Sequence, residues 1–401
     1  MLAALHLAEP SPESLARLRE REWRDALDFC GRSQITLAFR RRFRDAMPAA
    51  IGEIADGNLA HNRERLALLE ALYRLVAQRL GAVGIEFLAL KGLTQCPEFG
   101  SQPEDRPQYD VDLFTTREAV FAARDALAAV GFEPMEGMEN FPTDHIPALI
   151  RKTGWQWRGD VFDPEMPIAV ELHFRFWNPD LECLPAPGVE EFWRRRVVRR
   201  VAGVELRALC PQDALGYASL HLLKHVLQGA TRPFHVYEVA CFLESHAADE
   251  DFWKEWRALH GPELRRLQAA VFGLAQVWFG CRLGAAGEEV ERLPAGTRKW
   301  FEKFGTAPAE GLFTSNKDEL WLHLSLLDSR RDGWRVARRR LFPGSLPGPV
   351  DAVHIAESEI GWSRRGLRQA RWLAYVLRRV WHHAAALVSL TGSGLRWWWG
   401  R

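Results

Sequence analysis

The segment Tyr109–Phe114, which reads YDVDLF, places charged and apolar side chains in alternation. Successive side chains of a β-strand point to opposite faces, so this pattern predicts a strand that holds Asp110 and Asp112 side by side. Two aligned carboxylates repel each other unless a cation lies between them, and hard divalent cations such as Mg²⁺ prefer oxygen ligands. The segment therefore predicts a strand with a candidate metal site, and a solvated strand edge is the alternative interpretation.

The neighbouring patterns indicate that this strand belongs to a mixed α/β unit. The run Ile85–Gly92 (IEFLALKG) is mostly apolar and of strand length, which is typical of a buried strand. Thr116 begins an amphipathic helix that Gly131 ends. Further short strands are expected at Phe132–Pro134, Trp155–Phe162 and Ile168–Phe176.

The rest of the chain shows mainly helical periodicity. The expected organisation is an N-terminal helical segment (1–80), a small α/β domain with a mixed sheet (81–200), an all-helical domain (201–342), and a linker with a basic, tryptophan-rich tail (343–401). The change from the α/β to the helical part is expected near 180–205. The expected fold class is therefore α+β.

Composition excludes several classes of protein. The chain has 401 residues, of which 47% are hydrophobic and 26% charged, so it is neither disordered nor collagen-like. A formal net charge of +1 gives no indication of sequence-specific nucleic-acid binding. The six cysteines are far apart and form no C-x-x-C pair, which favours reduced thiols in a cytoplasmic protein over disulfides. We expect no signal peptide and no membrane-spanning helix.

Glu171, in the middle of VELHF, is a candidate third carboxylate. A carboxylate from a strand next to Asp110 and Asp112 would complete a clamp for two metal ions, which activates an attacking oxygen and neutralises a transferring phosphoryl group. Three crowded carboxylates without a metal should raise the pKa of at least one of them. His173 follows on the same strand face, and it either orients Glu171 or is a satisfied, half-buried histidine.

The order of these motifs resembles that of a known enzyme family. FLALKG is followed by RPQYDVDLF, then by VELHFR, and the second half contains LHLLKH and YEVACFL. Over roughly residues 60–300 this set is similar to an uncharacterised bacterial nucleotidyltransferase family of the DNA polymerase β-like superfamily. The resemblance implies a nucleotidyltransferase domain that uses Mg²⁺, or Mn²⁺, to transfer a nucleoside monophosphate from an NTP to an acceptor hydroxyl, with release of pyrophosphate.

The resemblance also implies roles for individual residues. Gly92 would let the backbone approach the phosphates, and Lys91 would add a charge to them or else be a strand-end lysine in solvent. Arg106 would pair with an aspartate of the DVD motif, contact phosphate, or be an ordinary loop arginine. The implied catalytic and metal-binding residues are Asp110, Asp112 and Glu171, and the nucleotide-binding residues are Lys91, Gly92, Arg106 and His173.

A candidate acceptor side is implied in the helical half, by His221, Lys224, His225 and Glu238. His221 and His225 lie on one helical face, but HLLKH lacks the glutamate of H-E-x-x-H and no third ligand is apparent. Zinc is therefore not expected there. Glu238 stands where the resemblance leads us to expect an aspartate, so its role is either structural or on the acceptor side.

Two other functions stay open. A descendant of the fold without catalysis could bind a nucleotide or a partner, and the same metal chemistry would permit transfer of the γ-phosphate. The acceptor could be a sugar, a peptide or a protein.

The tail after Glu359 contains eight arginines and no acidic residue. Its apolar residues recur at helical spacing. A basic helix of this kind can lie on an anionic membrane, or it can pack its apolar face on the helical domain and leave the arginines in water. The expected location is therefore cytoplasmic, with peripheral contact at the inner face of the membrane through residues 360–401 as an open alternative.

Overall fold

The computed structural model describes residues 2–8, 15, 17–135, 144–342 and 361–398. Among the described residues, three helices precede the sheet: α1 (Glu20–Ser33), α2 (Thr36–Phe43) and the long α3 (Ala49–Ala82). The helical periodicity of the sequence before residue 81 therefore corresponds to these helices in the structure. Short 3₁₀ turns occur at Ala3–Leu5 and Arg44–Ala46.

The described residues form one seven-stranded mixed sheet with the order β3-β4-β5-β2-β1-β7-β6. β2 runs parallel to β5 and β1 runs parallel to β7, whereas the other neighbours are antiparallel. The strands are β1 (Leu88–Ala89), β2 (Asp110–Phe114), β3 (Glu133–Pro134), β4 (Leu149–Ile150), β5 (Ala169–His173), β6 (Val197–Val201) and β7 (Val204–Ala208).

The two faces of the sheet are covered by different parts of the chain. Val111 and Leu113 on β2 join one core cluster with the apolar side chains of α3 and of α4 (Val120–Ala128). Phe114, which points the other way, stacks on Phe176 with ring centroids 4.0 Å apart and belongs to the core of the helical half. The alternation read from YDVDLF therefore places the two aspartates on the face that the helical half covers.

The helical half begins after β7 and surrounds a largely buried helix, α9. Its helices are α6 (Pro211–Gln228), α7 (Pro233–Ser245), α8 (Glu250–Leu259), α9 (Pro262–Phe279), α10 (Gly287–Glu291), α11 (Ala295–Phe304), α12 (Ala307–Glu310), α13 (Glu319–Leu326) and α14 (Arg330–Leu341), and the short α5 (Pro179–Glu182) lies between β5 and β6. The α+β fold class is confirmed.

Local predictions differ from the structure at several points. Trp155–Phe162 contains no strand; instead, the Trp155 indole donates a hydrogen bond to Asp163 Oδ2 at 2.9 Å. On its outer side β5 pairs with β4, a strand that the sequence analysis does not predict. The sheet also continues to Ala208, beyond the expected end of the α/β domain at 200, because the β6–β7 hairpin adds β7 beside β1.

The tail forms one helix, α15 (Trp362–Trp398). The expected linker at 343–350 lies outside the described residues. Within the described part of the chain, no single helix is long and apolar enough to cross a membrane; α9 and α10 meet the criteria of length and composition only as a pair bent by 118°. All six cysteines are described, and none forms a disulfide.

A buried charge cluster joins the end of the β5–β6 connection to the start of α6. Arg195 donates two hydrogen bonds of 2.8 Å to Asp213, and His260 Nε2 lies 3.0 Å from Asp213 Oδ1. Burial alone would raise the pKa of Asp213, but the hydrogen bonds from His260 and Arg195 outweigh it and hold the pKa below its ordinary value of 3.8.

The lowered pKa predicts how Asp213 contributes to stability at different pH. A carboxylate with a depressed folded-state pKa contributes stability above its unfolded pKa and loses it as pH falls through the folded value. Asp213→Asn should therefore lower the free energy of unfolding at neutral pH, and the gap to the wild type should narrow below about pH 4. Urea denaturation at stepped pH measures the gap, with the exposed Asp125→Asn as control. A gap that stays constant down to about pH 3 would contradict the prediction.

Candidate functional site

The parallel pairing of β2 with β5 brings the predicted carboxylates together. Asp112 stands opposite Glu171 in the register, and Asp110 stands opposite Ala169. Side chains at i and i+2 share a face, so Asp110, Asp112, Glu171 and His173 all lie on the face covered by the helical half. Asp112 is buried, whereas Asp110 and Glu171 are about a third and a quarter exposed (32% and 24%). The sequence prediction that Glu171 neighbours the aspartate pair agrees with this geometry.

His173 lies among the carboxylates. Its Nε2 is 3.2 Å from Asp112 Oδ1 and 3.5 Å from Glu171 Oε2, and its Nδ1 is 3.6 Å from Asp144 Oδ2. Burial opposes the charged imidazolium, but the hydrogen bond to Asp112 and the nearby negative charges of Asp144 and Glu171 outweigh burial and raise the pKa of His173 well above its ordinary value. His173 is therefore a positively charged partner of the acidic residues at neutral pH.

The expected rise in carboxylate pKa does not occur at Glu171. Burial and Asp110 act to raise its pKa, but hydrogen bonding to His173 and the nearby His145 lower it overall. Asp144 behaves in the same way: burial opposes ionisation, while His173 and Lys224 hold its pKa well below 3.8. The sequence prediction rested on the repulsion between the carboxylates. It did not include the positive charges that the fold brings next to them.

Lys91 supplies a further positive charge, at the end of β1. Its Nζ lies 3.2 Å from Asp112 Oδ2, 3.7 Å from Asp110 Oδ2 and 3.3 Å from His221 Nε2. Burial disfavours the ammonium form, but the charges of Asp110, Asp112 and Glu171 outweigh burial and raise the pKa of Lys91. Lys91 is therefore not a strand-end lysine in solvent: it bridges the aspartates and the first helix of the helical half.

Gly92 begins the 3₁₀ turn Gly92–Gln95 with a φ of +81°. A Cβ at this position would lie 2.4 Å from Gln108 Nε2, so the turn needs glycine both for its backbone conformation and for the close approach of Gln108. The Gly92 amide donates a hydrogen bond to Gln95 Oε1 at 3.2 Å. That amide already has a protein partner, so it could bind phosphate only by exchanging this bond.

Arg106 pairs with Glu238 rather than with Asp110 or Asp112. Its Nε donates to Glu238 Oε1 at 2.7 Å and its Nη2 donates to Glu238 Oε2 at 3.1 Å, and both side chains are buried. Nη2 also donates to Gln95 Oε1 at 3.0 Å. The two residues thus form a structural ion pair between the loop before β2 and α7, which is the structural alternative considered for Glu238.

Three histidines lie on the helical side of Lys91. The ring centroids of His221 and His225 on α6 are 4.5 Å apart, and His235 on α7 is 5.5 Å from the first and 6.1 Å from the second. Burial, helped by the charges of Lys91 and Lys224, lowers the pKa of His225 to about 3. Burial also lowers the pKa of His221 and His235, with Lys91 the next cause for both. The cluster is therefore neutral at physiological pH.

Several residues of the site escaped sequence reasoning. Asp144, which accepts hydrogen bonds from Lys224 Nζ at 3.0 and 3.3 Å, and His145 follow a stretch without periodicity, so no pattern marked them. His235 did carry a signal, because it precedes Glu238 by three residues and so lies on the same face of α7.

The chemistry of the donor atoms fits a divalent cation. Within the described ranges, the one group of three His, Cys, Asp or Glu residues whose ligand atoms lie within 4.8 Å of one another is Asp112, Glu171 and His173. Asp112 Oδ2 is buried, and the ammonium group of Lys91 lies 3.2 Å from it. Carboxylate oxygens suit Mg²⁺ and Mn²⁺, whereas an imidazole nitrogen favours the transition metals. Asp110 is outside this group, and its Oδ2 lies 3.7 Å from Lys91 Nζ.

Comparison with known proteins gives one family and one structural likeness. A family model described as an uncharacterised nucleotidyltransferase matches residues 19–280. A crystal structure of an antigenic nucleotidyltransferase-like protein from Paracoccidioides brasiliensis is 16% identical and covers 49% of this chain and 87% of that chain; its TM-score of 0.26 is too low to support an argument. No curated protein matches the chain significantly. The family model spans well over half of the chain, from the beginning of α1 to the end of α9. The chain therefore belongs to this family of uncharacterised nucleotidyltransferases.

Proposed function

We propose that this protein transfers a nucleoside monophosphate from an NTP to an acceptor hydroxyl, with a divalent metal ion, Mg²⁺ or Mn²⁺. The observation that carries the proposal is the register of β2 and β5, which sets Asp112 beside Glu171 with Asp110 on the same face, in a chain of a nucleotidyltransferase family. The acceptor oxygen forms a bond to the α-phosphorus, the bond to the bridging oxygen of the β-phosphate breaks, and pyrophosphate leaves.

Asp110, Asp112 and Glu171 would hold the metal in this reaction, with His173 beside them. When bound, the ion neutralises charge on the transferring phosphoryl group and lowers the pKa of the attacking hydroxyl. Glu171, ionised at neutral pH by its neighbours, is placed to accept the proton of the acceptor. Lys91 Nζ lies close to Asp110 and Asp112. When the nucleotide binds, Lys91 would pair with a phosphate oxygen in place of one of these aspartates.

The acceptor side is proposed at the histidine cluster and Lys224. The cavity that Lys91, Gln95, Tyr217, His221 and His235 help to line has a volume of about 20 Å³. This space holds one water molecule but no sugar or peptide group. An acceptor that reaches Lys91 from this side must therefore displace side chains of α6 or α7, so we propose that these helices set access to the site.

Transfer of label from the nucleotide tests the proposal. Purified protein is incubated with ATP, GTP, CTP or UTP carrying ³²P at the α- or the γ-phosphate, with Mg²⁺ or Mn²⁺ and a bacterial cell extract as the source of acceptors. We expect label from the α-position only, and its loss in Asp110→Asn/Asp112→Asn but not in Asp125→Asn, which changes an exposed residue of α4.

The other outcomes contradict the proposal and identify the alternatives. Transfer of γ-label that depends on the two aspartates would indicate a phosphoryl transferase. A rise in melting temperature with Mg²⁺ and a nonhydrolysable NTP, without transfer of either label, would indicate a nucleotide-binding descendant, which the neutralisation of the carboxylates by Lys91 and His173 would then explain. Equal transfer by the wild type and the double variant would place any activity elsewhere.

A further inference from the structure

The tail helix α15 has two apolar faces, and only one of them packs on the protein. On the inner face, Val376, Ala386, Leu390 and Trp397 are buried. The Trp397 ring stacks on Trp321 of α13 with centroids 6.1 Å apart. Lys299 of α11 donates a hydrogen bond to the Trp397 carbonyl at 2.5 Å. The sequence interpretation in which the helix packs on the helical domain accounts for this face.

The outer face carries a continuous stripe of large apolar side chains in water. Successive members are four, three, one, seven and seven residues apart, and at about 100° per residue they fall within an arc of about 100° on one side of an α-helix, over about 33 Å. Each is more than half exposed, from 52% at Leu373 to 74% at Val388. This outer stripe consists of Leu373, Leu377, Val380, Trp381, Val388 and Leu395. A single exposed leucine needs no explanation, but a stripe of six residues with a tryptophan at its centre is typical of a binding surface.

The charges beside the outer stripe have one sign. The sequence of α15 contains seven arginines and no aspartate, glutamate or lysine. Arg371 and Arg378 are exposed and lie about 80° and 60° around the helix from Trp381, on one edge of the stripe, whereas Arg379 lies on the far side of the helix. The neighbouring helix α14, whose Val336 shares a core cluster with Leu390 on the inner face of α15, ends in RRR at 338–340, of which Arg340 pairs with Glu319.

We propose that the outer stripe of α15 docks on the surface of a membrane that contains anionic lipid. Apolar side chains flanked by arginines match both parts of such a surface, since the stripe enters the acyl boundary while the guanidinium groups contact lipid phosphates. Tryptophan is favoured at this depth because its ring is apolar and its N–H polar. A second copy of the chain is a poorer occupant, because stripe-to-stripe contact would bring two sets of arginines together without an acidic residue on either helix. The membrane contact does not depend on the proposed enzymatic activity.

Sedimentation with lipid vesicles tests the docking with the full chain. The vesicles are made of phosphatidylcholine alone, or of phosphatidylcholine with one third phosphatidylglycerol, at low and at high salt. We expect the wild type to pellet with the anionic vesicles only, and less at high salt. Leu377→Ser/Trp381→Ser and Arg371→Gln/Arg378→Gln should each lower the apparent affinity about tenfold or more.

Matched variants separate the stripe from general surface effects. Trp157→Ser/Val198→Ser removes two comparably exposed apolar side chains from the α/β part, at 54% and 64% exposure, and Arg63→Gln/Arg79→Gln removes two exposed arginines of α3. Both controls should bind like the wild type, and all variants should keep its circular dichroism spectrum. The proposal is overturned if the wild type does not pellet with anionic vesicles, or if the stripe variant binds them as well as the controls do. It is also overturned if analytical ultracentrifugation shows that the stripe mediates a dimer without lipid.

Discussion

Replacing Glu171 by glutamine is expected to reduce the rate of label transfer at saturating NTP by about 10²–10³-fold, on the basis of the proposed function. Glutamine keeps the shape of the side chain but removes the negative charge that lies opposite Asp112 in the register of β2 and β5. The metal should also bind more weakly, so the variant should need more Mg²⁺ or Mn²⁺ for half-maximal rate, a shift that a purely structural role would not produce. The measurement is transfer of α-label as a function of metal concentration.

Glu205→Gln provides the matched control, because Glu205 is an exposed residue of β7 in the same sheet. It should keep the rate and the metal dependence of the wild type. If Glu171→Gln retained both within about threefold, a direct role of Glu171 in the chemistry would be excluded.

The largest expected effect on stability comes from Glu238→Gln. The substitution leaves Arg106 buried and charged without its anionic partner, and breaking a buried ion pair in this way typically costs about 3–5 kcal/mol. Both partners are at most 5% exposed, and the pair connects the loop before β2 to α7. We expect urea denaturation to show a loss of this size. The loss should be smaller when Arg106→Met is combined with Glu238→Leu, since both charges are then absent.

An exposed pair gives the comparison. Arg194 and Glu191 form an ion pair with side chains 76% and 45% exposed, and such pairs contribute about 0–1 kcal/mol. Glu191→Gln should therefore change the free energy of unfolding by less than about 1 kcal/mol. Equal losses for Glu191→Gln and Glu238→Gln would show that the buried pair is not the source of the effect.

Local sequence periodicity predicted the parts of the fold that local physics determines. The alternation of YDVDLF gave β2 and the face that carries its aspartates, and VELHF gave β5 with Glu171 on a neighbouring strand. The part of the chain with mainly helical periodicity contains helices such as α6 and α8. In each case the apolar pattern itself specifies which side of the element is buried.

The partners of the charged residues could not be predicted in the same way. Arg106 and Glu238 are 132 positions apart, and no local pattern states which helix covers a given loop. The positive charge at the carboxylates depends on the same long-range packing, because His173 meets Asp144 from another loop and Lys91 meets the aspartates from another strand. Strand β1 is only two residues long. Its pairing with β2 and β7 ends at Ala89, shortly before the turn that begins at Gly92.

The ion pairs and the hydrogen bond between the sheet side and the helical half have a consequence for how the protein unfolds. Arg106 with Glu238, Asp144 with Lys224, and Lys91 with His221 each take one partner from either side. Separating the two sides would expose all of these groups to solvent or leave them buried without their partners. Neither side can therefore unfold while the other stays folded. Sheet and helices should therefore melt in a single cooperative transition, and a fragment that ends after β7 should not fold on its own.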